Sequence, residues 1–384
     1  MCERVIVDPE ASLNSVMLWF YLLINVGACF GVPTVYLAKI VGHWVAYLVP
    51  TILCLMLPPL LWYLNPRLIK QAPGGSDLPN VFSVLGDCLR HGGMKSIGRS
   101  GFWEQGKLSV RTAAGSTKEY GYDDEFVNDV RRAFQACGIF AFTPIYTISD
   151  GALGAASNAL TSSLDTYGLP NDLLDNLNSI SIVVMVPLMN HVIYPILQKR
   201  GIYWGPISRM TFGFALCTIG SSGFAILQHY TYQGSPCGYN ATTCAEILPK
   251  GSKTISDMSY LWYGIPIILT AILEIFVNVM AYGIAYSRSP KNMKGLVSSI
   301  NLLMTGMAPI VGLLSAPGIN DPNLVGVFAT PTILGAVSTV VFYFTFRYID
   351  REDLCSTQEM SWGQGGRGRL WTLQAKEFSN DANK

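Results

Sequence analysis

Charge is what this sequence has least of. Lys, Arg, Asp and Glu together make up 13% of its 384 residues, about half the quarter expected of a soluble protein. An ordinary water-soluble globule is therefore excluded. The balance is even, with a net charge of +1, which gives no electrostatic reason for a nucleic-acid partner. Catalytic patterns are missing as well. The chain has no H-E-x-x-H, no G-x-S-x-G, no His with an Asp five positions on, and no phosphate-binding Gly-rich loop. "GQGGRGRL" has the glycines, but it lies in a polar tail. No enzyme is read here. The nine Cys show no C-x-x-C or Cys/His spacing, so no metal or other cofactor is expected.

What the chain has instead is apolar length. Half of it is hydrophobic, in runs of 19 or more residues, enough to cross a bilayer core. Eight spans are expected, over 16–37, 44–64, 133–158, 177–197, 210–228, 260–286, 295–317 and 324–346. The fold class is an all-α polytopic membrane protein with the lipid bilayer as its surroundings. Met1 to Ser15 is polar, and no cleavable signal peptide is expected from it.

Basic residues give the sidedness. The segments 1–15, 65–132, 198–209, 287–294 and 347–384 hold 23 of the 26 Lys and Arg residues. The opposite set, 38–43, 159–176, 229–259 and 318–323, holds only Lys39, Lys250 and Lys253. The short loops decide the matter: Lys199, Arg200 and Arg209 in one, and Arg288, Lys291 and Lys294 in another. The positive-inside rule puts the first set, with both termini, in the cytoplasm. The loop 229–259 then faces outward. It carries the sequon Asn240-Ala241-Thr242 and the pair Cys237 and Cys244, and both glycosylation and a disulfide belong on that side. The other Cys read as structural. The stretch 65–132 is the longest non-membrane piece. "DDEFVNDVRRAFQACGIF" (123–140) opens with acidic residues suited to a helix N-terminus, and the polar end of the tail reads as disordered.

Two residues carry a formal charge inside the eight cores, Asp150 and Glu274. Asp150, in "YTISDGAL", reads equally well as a turn residue before Gly151 or as a buried proton site. Glu274 has about twelve residues of apolar run on either side, too far from an interface to snorkel. A carboxylate there costs about 2.5–3.5 kcal/mol on insertion scales and is functional by default. A cavity lined by water is the better reading than a purely structural bond. Desolvation and nearby cations can move such a carboxyl through its proton equilibrium. Asn25, Asn178 and Asn278 lie in or at the ends of spans, where Asn serves helix packing or a polar substrate. His191, near a cytoplasmic helix end, reads as packing.

At this point the residues resemble a family. "FYLLINVGACFG" (20–31) resembles the F-Y-x-x-I-N-x-G signature of the proton-dependent oligopeptide transporters, a branch of the major facilitator superfamily. Glu274-Ile275-Phe276, followed by Pro290 and Met293-Lys294, looks like the family's E-I-F segment and A-P-x-x-M-K loop, with Ser289 for the usual Ala. "PLMNHVIYPILQKRGI" (187–202) resembles the fungal members. The resemblance covers almost all of 16–346.

The resemblance implies that Glu274 holds a peptide's amino terminus and takes part in proton coupling. It implies that Asn25 and Asn178 touch the peptide, and that Asp150 titrates, four positions after Tyr146. The family has Trp at the Tyr146 position and Gln at Gly151. It also has twelve spans, the first bearing E-x-x-E-R. Cys2-Glu3-Arg4 does not replace that motif, so the eight spans correspond to the fifth to twelfth. The implied organisation is 1–64 as the last two helices of the N-terminal half, 65–132 as the central cytoplasmic loop, 133–346 as the C-terminal six-helix half and 347–384 as a cytoplasmic tail.

The implied activity is symport of di- and tripeptides with protons, by alternating access, in a plasma-membrane monomer with the proton as coupling ion. Two alternatives stand beside it: a shortened chain that does not transport alone, and a transporter of another small solute such as nitrate. A membrane enzyme or channel would need a catalytic constellation or a repeated pore ring, and neither is visible.

Overall fold

The structure, a computed structural model, describes residues 9–68, 78–93, 101–113, 121–149, 154–170, 172–201, 204–244, 255–287, 289 and 293–363. Asp150, Gly151, Pro290, the Cys2-Glu3-Arg4 leader and the tail beyond Gly363 lie outside them. The described residues form helices and no named strand. In chain order these are α1 (Pro9–Ala28), α2 (Gly31–Ile40), α3 (His43–Leu55), α4 (Leu57–Leu64), α5 (Leu78–Gly92), α6 (Gly101–Glu104), α7 (Leu108–Ala113), α8 (Asp124–Phe140) and α9 (Thr143–Thr147). They continue with α10 (Gly154–Ser163), α11 (Asp172–Leu188), α12 (Tyr194–Lys199), α13 (Pro206–Gly234), α14 (Leu261–Ser287), α15 (Lys294–Ser315) and α16 (Leu324–Gly363).

Seven stretches among the described residues are long and apolar enough to cross a membrane: Ser12–Ile40, His43–Arg67, Asn176–Leu197, Pro206–Gly234, Leu261–Ser287, Lys294–Gly318 and Leu324–Arg351. The remaining expected segment, 133–158, is divided. It runs through the end of α8, a turn at Ala141–Phe142, α9, and the start of α10. The last helix, α16, continues to Gly363, well beyond its apolar run.

The chain divides into two compact units. One comprises residues 1–56, 144–280 and 306–384. In it α13 packs along α16 and α1 along α11. Helix α14 lies against α13 because Gly213 leaves room. A Cβ there would meet Val277 Cγ2 at 2.8 Å and the Leu273 carbonyl at 3.3 Å. The face of α14 bearing Leu273, Phe276 and Val277 is thereby buried. Glu274 and Asn278, one turn apart, point elsewhere, towards α1.

Helix α13 begins at Pro206, which suits a first helical position, and its free N–H groups are capped from the far end of the chain. Asp350 of α16 accepts bonds from Ile207 N and Ser208 N, both at 2.8 Å, and from Ser208 Oγ at 2.5 Å. Gly205 is required beside it, since a Cβ would fall on the Asp350 carboxylate.

The second unit comprises residues 57–143 and 281–305. Helices α5, α6 and α8 pack around Val81, Val84, Phe102, Val127 and Val130. Asp123 caps α8 by accepting from Phe126 N at 2.8 Å, so the acidic opening of that segment does begin a helix. Asp87 ties the unit together, pairing with Arg111 at 2.6 Å and accepting from the Tyr122 hydroxyl at 3.0 Å. Lys294 lies 3.6 Å over the Tyr286 ring.

Candidate functional site

The structure brings Glu274 together with residues from two other helices of the same unit. Its carboxylate accepts a hydrogen bond from the Tyr21 hydroxyl of α1 at 2.5 Å and another from the Asn178 amide of α11. Asn278, one turn beyond Glu274 on α14, donates to the Tyr21 oxygen at 3.0 Å. The tyrosine hydroxyl has one proton and can also accept, so the bonds run in one direction, Asn278 to Tyr21 to Glu274.

Asn178 uses its nitrogen on the carboxylate, which leaves its Oδ1 buried and without a hydrogen-bond partner among the described residues. The carboxylate fixes that orientation, because a flipped amide would set oxygen against oxygen. A buried acceptor left unmade is costly, at about 1–3 kcal/mol. Beside the Glu274 carboxylate the site thus presents one unfilled acceptor, the Asn178 carbonyl oxygen. A group with several N–H donors and a positive charge matches both. An ammonium, with three donors and no acceptor, is such a group.

Asn25 is placed differently. It is buried at 7% exposure, and its amide donates to the Tyr21 carbonyl of its own helix at 3.0 Å. It sits one turn from Tyr21 on the same face, with one of its two amide N–H groups engaged within α1. His191 lies edge-on to Trp19 at 6.3 Å, a packing contact. The Tyr146 ring is buried against Phe214.

Sequence reasoning missed Tyr21 and gave Arg209 only a topological role. The signal for Tyr21 was its position one turn before Asn25 in an apolar run, where a hydroxyl needs a partner. Arg209 donates to the Trp204 carbonyl at 2.6 Å and to Asn14 at 3.3 Å, with its guanidinium 4.8 Å from the Tyr194 ring centre. Asn14 and Tyr21, two turns apart on α1, thus present one face to Arg209 and Glu274 respectively.

Away from these helices, Cys237 and Cys244 are joined in a disulfide. Between them, Thr242 is held by Asp321, and Asn240 is exposed.

The PTR2 profile, that of the POT family, matches residues 8–332. "MFS-type transporter ucsM" of Acremonium sp is 40% identical over 93% of this chain and 58% of its own length. "Peptide transporter PTR2" of Candida albicans is 32% identical, over 91% of this chain and 56% of its own length. The chain thus spans somewhat under three fifths of the length of these relatives. A crystal structure of an auto-inhibited POT family peptide transporter superposes with a TM-score of 0.57 at 19% identity, covering 86% of this chain and 70% of that one. The chain belongs to the POT family.

Proposed function

We propose that this POT family chain takes part in proton-coupled symport of di- and tripeptides, with Glu274 as the receptor for the peptide's ammonium group. One observation carries the reading: a carboxylate within a membrane-crossing helix is surrounded by Tyr21, Asn178 and Asn278, with the Asn178 carbonyl left over as an acceptor. An incoming ammonium would bond that oxygen and the carboxylate together, and Tyr21 and Asn278 would hold the carboxyl in place. A proton on Glu274 would compete with the ammonium for the same oxygens. Competition of that kind links protonation to substrate binding, and Asp150 is the second candidate to carry the proton.

The finer architecture belongs to the same proposal. The pieces α8, α9 and α10 together make a further crossing, giving eight spans that correspond to the family's fifth to twelfth, with both termini cytoplasmic and the plasma membrane as location. The relatives named as peptide transporters support the substrate class. The name of the 40% identical relative specifies only a transporter, so the preference for a free amine rests on Glu274. Asn25 would join the peptide contacts through its second amide N–H or its Oδ1, the first N–H staying on the Tyr21 carbonyl.

A second reading is supported by length. The chain spans 58% and 56% of two relatives, and it would then hold one end of a peptide without moving it. Uptake of a labelled dipeptide into proteoliposomes under an inward proton gradient tests both. Uptake by the wild type, lost in Glu274→Gln and undiminished in a distant surface variant, is expected. No uptake by the wild type would favour the second reading, and full proton-driven uptake by Glu274→Gln would remove Glu274 from its role.

A further inference from the structure

The glycosylation sequon is built into the folded core rather than displayed on a free loop. Thr242, its hydroxyl residue, donates Oγ1–H to Asp321 at 2.6 Å and its backbone N–H to the same carboxylate at 2.8 Å. Asp321 also accepts from the Tyr232 hydroxyl at 2.6 Å. Ala241, the middle residue, is 4% exposed and belongs to the buried apolar cluster that includes Tyr232, Leu324 and Phe328. Asn240 ends a short helical turn, with its N–H on the Cys237 carbonyl at 3.2 Å, and the Cys237–Cys244 disulfide closes the segment. The Asn240 side chain itself is exposed.

An exposed Asn240 can carry a glycan in the finished protein. The enzyme that adds it recognises the Asn-x-Thr signature, whose third-position hydroxyl is here turned to a charged acceptor, and charge-assisted bonds are about twice as strong as neutral ones. The transfer forms a bond from Asn240 Nδ2 to the sugar's anomeric carbon, breaks that carbon's bond to the departing lipid pyrophosphate, and releases one amide proton. It needs the segment accessible and its hydroxyl unoccupied.

We propose that folding closes this sequon, with Asp321 as the residue that shuts it and the Cys237–Cys244 disulfide holding Thr242 in place against it, so that Asn240 accepts its glycan only before Asp321 arrives. Asp321 lies 79 residues after Thr242, beyond α14 and α15. At about 5–20 residues per second, synthesis leaves the sequon open for about 4–16 s before the closing residue exists. The inference rests on the reading that 229–259 faces the side where glycans are added.

A washout experiment tests it. Cells synthesise labelled chain while lipid-linked glycan formation is inhibited. The inhibitor is then removed, and the gel shift reversed by a glycosidase is followed during the chase. The wild type, Asp321→Ala and the Cys237→Ser/Cys244→Ser pair are compared, with Asn240→Gln and Thr242→Val as blanks. Without inhibitor, a shift in the wild type that is absent from both blanks establishes the site. After washout, the wild type is expected to stay unshifted while Asp321→Ala and the cysteine variant gain the shift. A wild type that gains it during the chase overturns closure. Variants that stay unshifted like the wild type overturn the role of Asp321 and the disulfide, the cysteine pair guarding against misfolding of Asp321→Ala. The absence of any shift without inhibitor overturns the sidedness reading itself, and the inference with it.

Discussion

Tyr21 and Glu274 are 253 residues apart in sequence, and their side chains meet in a 2.5 Å hydrogen bond. A hydrogen bond to a charged group is worth about 1.5–3 kcal/mol, so the contact joins α1 to α14 as well as orienting the carboxylate. Its energetic signature is separable from transport. In thermal unfolding, Tyr21→Phe and Glu274→Gln should each destabilise, and the double variant should cost less than their sum by about 0.5–3 kcal/mol. Additive losses would show that the two groups are not coupled.

The cap on α13 makes a paired prediction. Asp350→Ala frees two backbone N–H groups and the Ser208 hydroxyl and should cost about 1–2 kcal/mol, as lost N-caps do. Gly205→Ala should produce a loss of the same kind, because its new methyl displaces the carboxylate. In the Asp350→Ala background, Gly205→Ala should then be nearly silent. Equal cost in both backgrounds would show that the glycine matters for some other reason.

Cys88 should be an unreactive thiol. It is fully buried on α5, and that burial, with the Asp87 carboxylate beside it, pushes its pKa from 9.0 up to about 11 against the opposing pull of Arg111. Folding thus favours the neutral thiol. Its contribution to stability is whole below pH 9 and is lost as the pH climbs towards 11. Alkylation at pH 8 should leave Cys88 unmodified in folded protein and modify it on denaturation, as peptide mass analysis would reveal. Rapid labelling in the folded protein would contradict the burial.

In the second unit, Asp87 holds both Arg111 and Tyr122. The two charged side chains are 11% and 14% exposed. Asp87→Ala removes the carboxylate from a guanidinium that keeps its 2.5 Å contact with His91 Nε2, and should cost about 1–3 kcal/mol. Limited proteolysis should cut within 78–113 faster than in the wild type. Unchanged cleavage would show that the apolar packing of α5 carries the unit by itself.

Gly213 gives a packing prediction. Gly213→Val sets branched methyls against Val277 Cγ2 and the Leu273 carbonyl, where even a Cβ meets them at 2.8 and 3.3 Å. Overpacking of this sort costs about 1–3 kcal/mol, read as a lower unfolding temperature. Because it pushes α14 off α13, it should weaken the Glu274 site without touching it.

The sequence by itself determined that the chain is a membrane protein built of helices, because bilayer solubility depends on local composition and on run length alone. Seven of its expected crossings need no partner to be read. It also singled out Glu274, since a charge in an apolar run is conspicuous wherever it points. The segment 133–158 was less legible, because hydropathy records no break in the backbone, and the turn after Phe140 and the separate α9 leave no mark in composition. Only the tertiary structure decided what the carboxylate faces. Tyr21 and Asn178 meet Glu274 across 253 and 96 residues of chain, and helical periodicity gives a residue's face but not its neighbour. The same holds for Asp350 on α13 and Asp321 on Thr242: each reads as an ordinary loop or helix-end acid until folding brings it to unfilled N–H and O–H groups.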